Sequence, residues 1–75
     1  MDKFPLLTAP QLAKALKKMG FVLVRQKGSH MFFRNPDGRT TVIPNHPGEK
    51  IDRGLLVKIV KHDLHIEKEE LMKYL

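Results

Sequence analysis

Seventy-five residues make one domain and not two, and a chain this short buries only about 60% of the surface its unfolded form exposes, so its core has to be thin. Without cysteine there is no disulfide staple and no thiolate metal site, which leaves helix-to-sheet packing to hold the fold and suits a reducing cytoplasm. The balance of 14 Lys plus Arg against 8 Asp plus Glu, a formal net of +6, favours a polyanionic partner, and no apolar run approaches membrane-spanning length.

The opening segment, Met1–Leu7, lacks the long apolar region of a signal peptide, and we expect it to be loosely ordered at the edge of a cytoplasmic domain spanning residues 1–75. Thr8 is a suitable N-cap and Pro10 fits a first helical turn. Leu12, Ala15, Leu16 and Met19 then recur on one helical face, with Lys14, Lys17 and Lys18 off it, until Gly20 supplies the stop. Phe21 to Gln26 and His30 to Arg34 read as two strands broken by Lys27-Gly28-Ser29. The turn formers Asn35-Pro36-Asp37-Gly38 lead into a third strand over Arg39 to Ile43, which Pro44 ends.

After a loop at residues 45–49, Asp52 can cap a second helix whose core stripe is Leu55, Leu56, Ile59 and Val60, and Ile66 to Leu75 reads as a short third helix or helical tail. The expectation is an α+β fold: helix, three-stranded antiparallel meander, helix, and a short C-terminal helix, with the helices on one sheet face. From Lys14 to Lys61 eleven basic residues meet three acidic ones, whereas the stretch from His62 onward is mildly acidic and poorly suited to lie against phosphate.

Alternation along the second strand puts His30, Phe32 and Arg34 on one face: an imidazole that exchanges protons near neutral pH, a ring that can stack on an unpaired base, and a guanidinium that can grip a phosphate. Lys27, Gly28 and Ser29 add an ammonium, backbone amides and a hydroxyl within one turn, and Arg25 is a further cation for RNA on the preceding strand. The bland reading is a core phenylalanine with solvated charges. No Gly-x-x-x-x-Gly-Lys loop supports triphosphate hydrolysis, and helix-turn-helix DNA binding fits poorly because a meander separates the helices. His62, Asp63 and His65 fall short of a zinc set because His30 and His46 lie elsewhere in the chain, so no metal or other cofactor is expected.

Gly20-Phe21, Lys27-Gly28-Ser29-His30, Asn35-Pro36-Asp37-Gly38-Arg39, Val42-Ile43-Pro44-Asn45-His46 and Gly54 to Val60 together resemble the HicA family of mRNA interferase toxins, over roughly Leu12 to Leu64. The resemblance implies a double-stranded-RNA-binding-domain-like fold, endoribonuclease activity on messenger RNA, a role in stress response, and inhibition by a HicB-type antitoxin. It also implies that His30 is the catalytic residue, with His46 in a supporting part. Where family members often carry Ala-Gly after the last core helix this chain has His62-Asp63, so the helix end is expected to continue or to close differently. The competing readings are a non-catalytic RNA-binding module and a domain whose basic face receives an acidic protein.

Overall fold

A capping box opens the first helix. In the computed structural model, which describes residues 3–75, the Thr8 hydroxyl accepts the Gln11 backbone N–H at 3.3 Å while the Gln11 side chain accepts the Thr8 N–H at 2.8 Å. Donors that a helix start leaves unpaired are thereby satisfied. Helix α1 (Ala9–Lys18) buries Leu12, Ala15 and Leu16 and leaves Lys14, Lys17 and Lys18 in solvent. Gly20, at φ 100°, turns the chain so that the Phe21 N–H donates to the Leu16 carbonyl at 2.9 Å. Expected to open a strand, Phe21 is instead a buried plug beneath this turn.

Strands β1 (Val22–Lys27), β2 (His30–Arg34) and β3 (Thr40–Pro44) pair antiparallel in chain order. The third strand starts one residue later than its composition suggests, because the Arg39 carbonyl accepts the Asn35 N–H at 2.8 Å and closes the turn. Pro44 is its last residue rather than the residue beyond it, which an edge strand tolerates. Along β2 and β3 burial alternates: Met31, Phe33, Thr41 and Ile43 face inward, and the residues between them do not.

All the helices cover that inward face. Helix α2 (Arg53–Lys58), capped by Asp52 on the Leu55 N–H at 3.2 Å, runs on through a π-helical turn at Ile59–Asp63, and α3 (Lys68–Met72) follows. Leu12, Leu16, Phe33, Ile43, Leu56, Ile59, Val60, Leu64 and Leu71 form the fully buried centre. This is the expected α+β arrangement, of double-stranded-RNA-binding-domain type. The start of the chain needs a correction: Phe4 and Leu7 are buried, Leu7 accepts the Ile51 N–H at 2.6 Å, and the Phe4 carbonyl accepts Arg53 Nε at 3.0 Å. Met1 and Asp2 of that segment lie outside the described residues.

The long helix continues past α2 as a π-helical turn and closes without a glycine. The Leu64 N–H reaches back five residues to the Ile59 carbonyl at 2.9 Å, the Ile66 N–H reaches Val60 at 3.1 Å, and His65 takes the left-handed conformation at φ 57°. A side chain there costs about 1–2 kcal/mol, part of which glycine regains at the expense of unfolded-state entropy. We expect His65→Gly to stabilise the domain by about 0.5–1 kcal/mol in urea titration.

Asp63, in the same turn, pins the helix to the sheet by accepting the Thr41 hydroxyl at 2.9 Å and Lys58 Nζ at 3.2 Å, with His62 Nδ1 at 3.2 Å. Burial opposes its ionisation, but the hydrogen bonds from His62, Thr41 and Lys58 outweigh it and hold the carboxyl below its ordinary value. A carboxyl depressed in this way adds stability above about pH 3.9 that fades as pH falls through the folded value. Asp63→Asn should therefore destabilise the domain at pH 7 and by progressively less as the pH falls below about 3.9, as read by urea titration across that range.

Candidate functional site

The candidate site is the sheet face that the helices leave bare, and its composition depends on one irregularity. Leu23 lies opposite Phe33, but the residue opposite Phe32 is Arg25, not Val24. Val24 is thus the extra residue of a β-bulge. In a regular ladder Val24 would face Phe32 and Arg25 would be opposite Met31, on the core side. The bulge turns the guanidinium to the open face, where its Cζ lies 4.6 Å from the centroid of the Phe32 ring.

Three cross-strand rows follow. Lys27, His30 and Pro44 form one, Arg25, Phe32 and Val42 the next, and Val22, Arg34 and Thr40 the last. Directly opposed residues share a face, so the exposed His30 has an ammonium on one flank and a proline ring on the other. Lys27 and His30 are joined by a two-residue loop, and Gly28 at its first central position has φ 58° with open space around it. The requirement for glycine there is conformational, since a tight hairpin of this kind needs positive φ where the chain leaves β1. Ser29 is half-buried, and its carbonyl accepts the Asn45 N–H at 2.6 Å.

Of the residues singled out from sequence, Arg25, Lys27, His30, Phe32 and Arg34 therefore lie in adjacent rows of one surface, with Gly28 and Ser29 at its end. Among the described residues none of the three cations Arg25, Lys27 and Arg34 forms an ion pair, so their charge is available to a ligand. His46 sits differently. It lies two positions past the proline opposite His30, in the exposed loop that the Asn45 bond ties to the hairpin turn, and makes no hydrogen bond to His30. His62, on the far side of the long helix end, pairs with Asp63.

Two residues, one read as a turn former and the other as the start of the third strand, brace this surface from behind. Asn35 is buried, donating from Nδ2 to the Met19 carbonyl at 3.3 Å and accepting the Asp37 N–H at 3.0 Å. Arg39 donates to the Leu64 carbonyl at 2.6 Å, pairs with Asp37 at 2.8 Å, and lies over the Phe21 ring. The Arg39 side chain and then its N–H hold the Asp37 carboxyl below the usual carboxylate range. No sequence signal marks either role, because both are set by partners from 16 to 25 residues away.

Comparison with known families matches residues 9–64 to the HicA toxin of bacterial toxin–antitoxin systems. No curated protein matches the chain. Among the described residues no helix is long and apolar enough to cross a membrane, and no group of three or more His, Asp or Glu is placed to hold a metal ion.

The ring contact at the centre of this face is testable by itself. A double-mutant cycle of Arg25→Ala and Phe32→Leu, followed by urea titration, should give a coupling of about 0.5–1 kcal/mol, the range for an exposed cation over a ring.

Proposed function

The chain belongs to the HicA toxin family of bacterial toxin–antitoxin systems, and from that premise we propose that it is a metal-independent endoribonuclease that cuts messenger RNA with His30. The observation that carries the reading is the exposed imidazole beside Lys27 at a Gly-Ser turn, on a face where Arg25, Lys27 and Arg34 form no ion pair among the described residues.

Neutral His30 takes the proton of a ribose 2′-hydroxyl, and the oxygen attacks the adjacent phosphorus. The bond to the 5′-oxygen breaks, leaving a 2′,3′-cyclic phosphate on one product and a 5′-hydroxyl on the other. Lys27 and the backbone N–H groups around Gly28 and Ser29 offset the charge that builds on the phosphorane. Phe32 stacks on an unpaired base with Arg25 lying against the same ring, and Arg34, one row further from the turn, holds a neighbouring phosphate. His46 is the candidate for returning a proton to the departing 5′-oxygen, reached from the loop tied to Ser29.

One histidine acting as base contributes about 10²–10⁴-fold, a slow enzyme adequate for a growth-arresting toxin. The family implies an antitoxin partner. A HicB-type antitoxin with an acidic surface would compete with RNA for the same cations, which accounts for inhibition by simple occlusion. Both associations weaken as salt rises.

His30→Ala should keep RNA binding and lower cleavage at least about 100-fold in the presence of EDTA, with growth arrest on expression lost in parallel. A substrate carrying a 2′-deoxy sugar at the cut site should resist the unmodified protein. Cleavage that survives either change, or that stops with chelator, rules out this mechanism.

A further inference from the structure

β3 ends at Pro44 and the chain crosses to α2 through residues 45–52. Under this crossing lies a recess of about 240 Å³. Its carbon lining comes from Pro44, Ile51 and Leu55, the first and last half-buried and Ile51 buried. Glu49, Lys50, Asp52 and His46 supply its polar atoms. Because Pro44 is the cross-strand partner of His30, and the Asn45 N–H is bonded to Ser29, the recess adjoins the row that holds the imidazole.

The chemistry of the lining selects the occupant. A flat ring with an apolar face and a polar edge suits a pocket with carbon walls and a few polar groups. Two carboxylates on a chain of net +6 are poorly placed to meet a phosphate and well placed to accept N–H donors. Asp52 already spends one oxygen on the Leu55 N–H. Glu49 is held by its own backbone, whose N–H donates to the His46 carbonyl at 3.0 Å, and its exposed carboxylate has no hydrogen bond or ion pair among the described residues.

We propose that this recess receives the unstacked base of a nucleotide next to the scissile phosphate, that Glu49 reads its edge, and that guanine is the preferred base. Guanine offers two parallel donors, N1–H and the N2 amino group, which match the two oxygens of one carboxylate as an arginine fork does, and its O6 can take a hydrogen bond from Lys50. Cytosine and adenine offer a single amino group. Uracil offers one imino N–H between two carbonyl oxygens that the carboxylate repels, so it is the poorest fit.

The inference relies on the ribonuclease reading for its choice of ligand class, and binding tests it separately from cutting. The probe is labelled hexauridine compared with hexauridine carrying one central guanine, cytosine or adenine, titrated against the full chain bearing His30→Ala. The guanine hexamer should bind about tenfold tighter than hexauridine, with the other two between them. Glu49→Gln and Glu49→Ala, each added to that chain, should bring all four within about twofold while leaving the melting temperature unchanged, Glu49 being an exposed loop residue. Equal binding of the four hexamers by the parent, or a guanine preference that survives both Glu49 changes, overturns the proposal. Discrimination by the His30→Ala protein, together with no cutting by the unmodified chain, would remove the ribonuclease reading and leave the base site standing.

Discussion

The sheet can be covered on one side only, and the rest of the molecule depends on that. Three strands and a thin core do not supply enough helix to sandwich the sheet, so α1 and the π-helical turn after α2 pack against β3, α3 packs on that turn, and all of them share one core with Met31, Phe33 and Ile43. Alternation then dictates what solvent meets. Residues one position away from the core set, His30, Phe32 and Arg34, are presented outward by the same pleat that buries their neighbours. The candidate site and the core thus take alternate positions of a single five-residue strand.

Around that strand, small backbone departures do the positioning. The extra residue at Val24 keeps a cation on the open face, where a regular strand would have turned it toward Met31. A left-handed glycine at position 28 keeps the hairpin tight enough for Lys27 and His30 to be cross-strand partners. Proline at the end of β3 gives the histidine a rigid neighbour, and the following amide fastens the next loop to the same turn. None of these involves many atoms, yet each decides which chemical groups share a surface.

Much of this is legible in the amino-acid sequence. The amphipathic face of α1, the three strands and the Asp52-capped helix announce themselves by periodicity and capping residues, and His30, Phe32 and Arg34 were separable from Met31 and Phe33 by counting in twos. What stayed hidden was whatever needs a distant partner. Phe21 and Arg39 look like strand residues, since aromatic and β-prone neighbours surround them, but one plugs the core and the other reaches Leu64. Val22-Leu23-Val24 gives no hint of a bulge, because a bulge is a mismatch between two strands and not a property of one. Phe4 and Leu7 carry no period, so their burial follows only from the docking of residues 51 and 53 against them. The recess beside His46 is likewise invisible in a run of loop-forming residues.

Every residue of β1 is exposed, and Val22 and Val24 are 57% and 58% accessible. That strand is fastened to the body almost wholly through its ladder with β2, whereas β2 sits at the centre of the sheet with Phe33 driven into the core. Anchorage is therefore graded across the face: the histidine rides on the firmest strand and two of the three cations ride on the loosest. Fraying of β1 would thin the positive charge over the surface without disturbing His30 or the helices, so the proposed hold on a polyanion and the placement of the proposed reactive group would depend on separate parts of one small domain.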